Sequence, residues 1–352
     1  MTADTSEPLA DARRHLASAR AARAAGPGPR ADALRRAYLD LLKLCLCDLA
    51  GASTQSVGAL ADGQVVSREL RGDGVRLRAA GMDWPLQGLT MVGLARLDDL
   101  QACVESIVAD AVEGDVIEAG AWRGGAALLA RATLDTLGDD RGVWVADSFQ
   151  GFPQAEEQDA EGLRLSAFDF LAVPLDEVRE SFARLGLERG VRFVPGFFAE
   201  TLPELSGRRW SLLRLDADTY EPTRLALHAL YPGLAAGGYV VIDDYGSFPD
   251  CRRAVDEFRC ANGITEPIQR IDFSGARWRR EEDPPVATAA PAPPAAAGRT
   301  VAPARSRAAR APTVHELELA RELEAARARL ADAEAAIGLR PWLRRKLGRA
   351  TA

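Results

Sequence analysis

Asp147, Asp216, Asp218, Asp243 and Asp244 stand at or just beyond the ends of short apolar runs, VWVAD, WSLLRLDAD and GYVVIDD. A lone aspartate in that place commonly caps the helix that follows, a reading that suits Asp218. It does not suit the adjacent pair Asp243 and Asp244. Neighbouring carboxylates that face Asp216 across a sheet rim repel one another and lose solvation unless a cation stands among them. Oxygen ligands without histidine or cysteine suit a hard ion, Mg²⁺ first, with waters or substrate hydroxyls completing its shell. Asp147 occupies the place where a doubly wound fold sets an acid to accept hydrogen bonds from a ribose diol.

Imidazole and thiol chemistry have little to work with. His15 and His315 lie in alanine- and charge-rich end segments, and His228, in LALHALYPGL, reads as a structural residue in mid-helix. Cys45, Cys47, Cys103, Cys251 and Cys260 are scattered without CxxC spacing, so reduced thiols are expected rather than disulfides or zinc ligands.

The elements that must position the acids follow from the stretch DVIEAGAWRGG, Asp115 to Gly125. Asp115 to Ala119 is a short apolar run, and Gly120, Gly124 and Gly125 open an alanine- and leucine-rich segment to Thr136, giving strand, Gly-rich turn and helix. Glycines let backbone approach a ligand closely at a helix N-terminus. Glu118, at the carboxyl end of the strand, would repel a pyrophosphate, and the pattern is not G-x-G-x-x-G. A cationic or uncharged ligand with hydroxyls fits better than a dinucleotide. Further strands are expected at Val143–Ala146, Val191–Val194, Trp210–Leu215 and Tyr239–Ile242, with helices at Leu175–Leu185, Pro222–Leu234 and Asp250–Ala261. Strands alternating with helices mean a parallel sheet. Ile268–Phe273 and Ala276–Arg280 have no helix between them, so the last runs antiparallel near the sheet edge.

The 352 residues carry a formal charge of −7, which disfavours nucleic acid as a partner. No apolar leader or long apolar run is evident, so a cytoplasmic protein is expected. Residues 1–80 read as a helical arm and lid region: an alanine- and arginine-rich helix over 8–25, a GPGPR break, then a helix Ala31–Leu49 burying Leu34, Tyr38, Leu41, Leu42 and Cys45 on one face. In MDWPLQGLTMVGLARLDDL, Trp84 and Met91 read as core packing, next to the helix Leu97–Val112. The catalytic domain is expected over 81–280, and the acidic stretch 154–161 as solvated loop. Residues 281–312 are a Pro- and Ala-rich disordered linker, and 313–352 a helix with heptad spacing at Leu319, Leu323, Ala326, Leu330, Ala333 and Ile337 and a basic, Trp342-containing end. That tail suits self-association, a partner protein or an anionic membrane surface, and equally a solitary, weakly ordered charged helix that stays solvated.

Taken together, IEAGAWRGGA, VWVADSFQGFP, RFVPGFFAETLP, LRLDADTYEPT, LYPGLAAGGYVVIDDYGSFPDCRRAVDEFR and ARWRR resemble the macrocin O-methyltransferase (TylF/MycF) family of S-adenosylmethionine-dependent sugar methyltransferases, over roughly Tyr38 to Arg280. The resemblance implies an α/β, class I methyltransferase Rossmann-like doubly wound sheet, Mg²⁺ dependence, and methylation of a sugar hydroxyl in a glycosylated natural product or surface glycan. By motif, Glu118 and Gly120 would line the cofactor turn, Asp147 and Ser148 would hold the ribose, Thr90 and Met91 would lie close to the cofactor, and Asp216, Asp243 and Asp244 would hold the metal. Ala217 departs from the glycine more usual between the two aspartates, and Cys47 to Arg78 shows little that aligns.

Methyl transfer from a sulfonium is an in-line displacement that needs a polarised oxygen at near-attack distance, which a chelating Mg²⁺ supplies. The proton acceptor is then a metal-site carboxylate or water, with Asp216 as the nominee. A homo-oligomer is expected. Two other classes remain in view: a non-catalytic S-adenosylmethionine-binding scaffold in glycan assembly, and an NAD-dependent sugar oxidoreductase, whose glycine fingerprint and Tyr-x-x-x-Lys pair are missing.

Overall fold

A computed structural model describes residues 29–59, 65–153 and 168–282. The expectations for 8–25, 154–161, the linker and the C-terminal helix lie outside these residues. The alternation of apolar runs builds one seven-stranded sheet: β3 (Asp115–Ala119), β4 (Val143–Asp147), β5 (Val191–Pro195), β6 (Trp210–Leu215), β7 (Leu234–Ile242), β8 (Gln269–Arg270) and β9 (Ala276–Arg279). Their order is β5-β4-β3-β6-β7-β9-β8. The five strands from β5 to β7 in that order are parallel, β9 runs antiparallel to β7, and β8 antiparallel to β9. This is the doubly wound sheet expected, with β9 inserted beside β7 and β8 at the edge.

Period-two alternation divides the core into two layers. Val116, Val145, Leu212 and Val241 face α1 (Pro29–Leu46), α3 (Gly93–Ala109), α4 (Gly125–Leu137) and α5 (Leu175–Leu185), where Leu39, Leu97, Leu128 and Phe182 are fully buried. Ile117, Trp144, Leu213 and Val240 face the other layer, where Leu202, after the short helix α6 (Phe198–Thr201), packs with Leu227 of α7 (Tyr220–Leu230), Val255 of α8 (Pro249–Ala261) and Trp278. The central strand β6 is buried at all six positions, and each large apolar side chain so buried stabilises by roughly 1.5–3 kcal/mol.

Register sets the rim. Ala119 pairs with Ala146 on one side and Leu215 on the other, and Leu215 pairs with Ile242. The next residues, Gly120, Asp147, Asp216 and Asp243, therefore emerge side by side at the carboxyl ends of the strands.

Two expectations for the N-terminal region need correcting. Residues 47–80 are not helical throughout: Thr54–Ala59 (β1) and Val65–Leu70 (β2) pair antiparallel, ahead of α2 (Asp73–Ala79). On α1 the buried stripe is Leu39, Leu42 and Leu46, while Leu34, Tyr38, Leu41 and Cys45 are exposed. The helix is apolar on two sides, and the core takes the stripe offset from the one expected. No described helix is long and apolar enough to cross a membrane.

Gly120 locks the rim. Its φ is +90°, and a Cβ there would stand 1.8 Å from the carbonyl oxygen of Asp216. Gly120→Ala is expected to destabilise by roughly 3 kcal/mol or more, at the upper end for a point substitution. Gly138→Ala, at φ +71° with nothing within 4 Å, is expected to cost only about 1 kcal/mol for the left-handed backbone. Urea unfolding of the two variants compares them, and equal losses would show that the strand ends can part to admit a methyl group.

Candidate functional site

Arg214 sits in the middle of β6, directly opposite Glu118 of β3, and is buried. Its Nη1 donates to Glu118 Oε1 at 2.5 Å and Asp216 Oδ2 at 3.1 Å, and its Nη2 to Asp216 Oδ2 at 3.1 Å and Asp243 Oδ1 at 2.5 Å. From α3, Arg96 Nη1 donates to Asp243 Oδ2, its Nε to Asp272 Oδ2 at 3.0 Å and its Nη2 to the Gly81 carbonyl at 3.2 Å. Burial works against the Arg214 charge, but Asp243, Glu118 and Asp216 outweigh it and hold the guanidinium protonated.

The carboxylates closest to one another are Asp216, Asp218 and Asp244, each with an oxygen within 4.8 Å of the others. Asp218 is held at φ +53°, and the cap of α7 is Thr219, without a side-chain capping bond. The cap expected at Asp218 falls one residue later, and one Asp218 oxygen lies with those of Asp216 and Asp244. Asp243, expected among the metal ligands, is engaged through both oxygens by Arg96 and Arg214 and is not in this group. Asp244 Oδ2 is buried and has no hydrogen-bond partner among the described residues.

Counted as fully ionised, Glu118, Asp216, Asp218, Asp243, Asp244 and Asp272 against Arg96 and Arg214 leave four negative charges in excess. The protonation equilibria show the strain. Burial, then Asp218, Asp216 and Asp243, push Asp244 well above the usual carboxylate range. Burial and Asp243 push Asp216 up to about 6 against Arg214 and Arg96, and burial pushes Glu118 to about 7 against Arg214. An orphaned buried oxygen among carboxylates that cannot all ionise fits a hard divalent cation.

Beside this group lies the glycine turn. Glu118 Oε2 accepts the Ala127 N–H at 2.9 Å, satisfying an orphan donor in the first turn of α4. Glu118 is thus buried and saturated, anchoring the turn from behind. Asp147 accepts from the Ala121 and Trp122 amides through Oδ2 at 2.8 and 3.1 Å and from the Phe149 amide through Oδ1 at 2.8 Å, and stays half-buried. Ser148 donates to the Gly151 carbonyl at 2.6 Å. Thr90 is buried and Met91 half-buried in a segment whose Leu89 carbonyl accepts the Gly125 N–H at 2.9 Å, so the 89–91 segment abuts the start of α4. Trp84 packs on Phe168 and Phe170, with ring centroids 5.5 and 5.0 Å away, and the Trp122 indole donates to the Phe170 carbonyl at 3.0 Å. Arg123 donates to the carbonyls of Pro85, Leu86 and Gly88, clamping that connection onto the turn. His228 stands outside all of this, its ring edge-on to Phe258.

The sequence reading passed over Arg96, Arg123 and Arg214. Arg214 carried a signal: it is the one charge inside WSLLRL, and Glu118 is its counterpart in the neighbouring run. Arg96, one arginine in an ordinary amphipathic helix, carried none.

The family model described as Macrocin-O-methyltransferase (TylF) matches residues 36–280. An 8-demethyl-8-(2,3-dimethoxy-alpha-L-rhamnosyl)-tetracenomycin-C 4'-O-methyltransferase from Streptomyces olivaceus is 44% identical over 252 residues, covering 70% of this chain and 93% of the relative. A mycinamicin III 3''-O-methyltransferase from Micromonospora griseorubida is 41% identical over 252 residues, covering 69% of this chain and 96% of the relative. The solved structure of the O-methyltransferase NovP superposes with a TM-score of 0.62 at 38% identity, covering 70% of this chain and all of that one. With its fold, rim acids and glycine turn inside the matched span, this chain belongs to the macrocin O-methyltransferase family.

Proposed function

We propose that the chain methylates a sugar hydroxyl of a glycosylated natural product or glycan, using S-adenosylmethionine as methyl donor and Mg²⁺ held by Asp216, Asp218 and Asp244. The observation that carries the reading is the orphaned Asp244 oxygen among carboxylates at the strand ends, beside the glycine turn. The tetracenomycin- and mycinamicin-directed relatives, whose names specify O-methylation, support a glycoside acceptor. Membership in a methyltransferase family disfavours both the scaffold and the oxidoreductase readings.

Each part of the site then has a task. Gly120 and the start of α4 form the cofactor turn, Glu118 fixes it from behind, and Asp147 and Ser148 border it where ribose hydroxyls would lie, with Thr90 and Met91 on its flank. S-adenosylmethionine supplies an electrophilic methyl, and Mg²⁺, when bound, polarises the acceptor hydroxyl and fixes its orientation. Asp216 accepts the proton: it stands at the strand end beside the glycine turn and keeps 26% of its side-chain surface open. With S-adenosylmethionine bound, its methyl would pass to the acceptor oxygen, the sulfur keeping the electron pair, as the hydroxyl proton passed to Asp216. Arg96 and Arg214 hold Asp243 as their counter-ion, and a divalent cation would halve the excess of four negative charges that remains.

Chelation is expected to abolish methyl transfer and Mg²⁺ to restore it. Asp244→Asn and Asp218→Asn should lose Mg²⁺ binding in titration calorimetry while remaining folded. Asp243→Asn should bind Mg²⁺ but melt lower, by the roughly 3–5 kcal/mol lost when a buried ion pair is broken. The reverse pattern would return Asp243 to the ligand set and remove Asp218.

Asp147→Ala is expected to weaken S-adenosylhomocysteine by roughly 1–3 kcal/mol, the range for a hydrogen bond to a charged group. It should also lower the melting temperature, because two turn amides lose their acceptor. Unchanged affinity would refute the ribose assignment.

The raised carboxyls set a pH dependence. Without metal, Glu118 and Asp216 keep protons in the fold that the unfolded chain releases near pH 4, so this contribution to stability is full below about pH 4 and is lost as pH rises through 6 and 7. Mg²⁺ binds the deprotonated acids, so its affinity should rise over the same interval. Melting curves from pH 5 to 8 should show Mg²⁺ stabilisation growing with pH; a flat difference would contradict the assignment.

A further inference from the structure

We propose that Arg214 is a positioning residue that couples the glycine turn to the acid cluster, so that Mg²⁺ and S-adenosylhomocysteine bind more tightly together than apart. The proposal rests on the two sites assigned above.

Each terminal nitrogen of Arg214 divides its N–H donors between Asp216 and one other acid, Glu118 on Nη1 and Asp243 on Nη2. Both donors on Asp216 converge on the single oxygen Oδ2. A cation that takes this carboxylate competes with the guanidinium for it. The two N–H groups so released lie beside Glu118 and Asp243, and the guanidinium can settle fully onto them.

Glu118 carries the effect onward. Its second oxygen holds the Ala127 N–H in the first turn of α4, three residues after Gly124. The helix start and the turn before it are therefore tied through one carboxylate to the guanidinium that Asp216 contests. A Glu118 held undivided by Arg214 fixes the turn in place, and a turn already fixed loses less freedom when a cofactor settles on it. Reciprocity follows: a cofactor that orders the turn draws Glu118 and Arg214 together and leaves Asp216 freer for the cation. Distance alone does not create the link; Arg214 is the side-chain donor that Glu118 and the acid cluster share.

Were Arg214 only a buried counter-charge, replacing it would weaken each ligand by itself and leave the ratio between single and joint affinities unchanged. The thermodynamic cycle separates the two roles. In the full-length chain, calorimetric titration of S-adenosylhomocysteine in saturating Mg²⁺ and in EDTA is expected to differ by at least about fivefold, the lower end of measured couplings, and Mg²⁺ titration with and without S-adenosylhomocysteine should give the same factor. Arg214→Lys retains the charge but cannot span three acids, and Glu118→Gln retains an acceptor for the Ala127 amide but not a partner for the guanidinium. In each the factor should fall below about twofold. Glu118→Gln keeps the arginine and the cation site, and so carries the test if Arg214→Lys unfolds. Equal affinities in Mg²⁺ and EDTA for the parent, or a factor preserved in Glu118→Gln, would overturn the coupling alone. A parent that binds S-adenosylhomocysteine but no Mg²⁺ would overturn the metal assignment and the coupling with it.

Discussion

A guanidinium buried at the centre of a parallel sheet is costly unless every donor is matched, and here the matching is done by acids that cannot do without it. Arg214 stands where period two would place another leucine, and Glu118, Asp216 and Asp243 share its face. Removing the arginine strips all three carboxylates of the counter-charge they share in an apolar layer. The rim therefore has a fixed electrostatic composition, and the two remaining carboxylates, Asp218 and Asp244, meet a field that is already negative.

The same logic, arginine against oxygen, holds the region before β3 in place. Buried Arg78 of α2 donates to the Cys47 and Gln55 carbonyls and to Thr54 Oγ1, and it pairs with Asp83. Arg123, on the glycine turn, donates to three carbonyls between Pro85 and Gly88. The Leu89 and Thr90 amides donate to the Leu46 carbonyl. Irregular backbone brings its own acceptors, and each guanidinium satisfies several at once.

Much of the sheet was legible because a parallel strand buried on both faces reads as a short apolar run, and five such runs are separated by segments of helical composition. The acids at their ends were legible for the same reason, since each stands at or just beyond an apolar run. Partnership was not legible. Asp243 and Asp218 are both aspartates near strand ends, and only the side-chain geometry shows that arginines occupy the first while the second turns toward Asp216 and Asp244 through a left-handed backbone. Arg96 lies 147 residues from Asp243, a separation that no local pattern spans. On α1 two apolar stripes competed for the core, and spacing alone could not rank them.

The close approach of Gly120 to Asp216 governs how tightly the two halves of the rim are gauged. The Asp216 amide donates to the Ala119 carbonyl at 2.9 Å, and the Gly120 amide donates to the Ala146 carbonyl at 2.8 Å, so both turns hang from adjoining ladder rungs. Their separation is a backbone quantity, close to the roughly 4.8 Å between neighbouring strands, and side-chain rotamers do not enter it. Whatever molecules meet across this rim meet at a distance machined into the main chain.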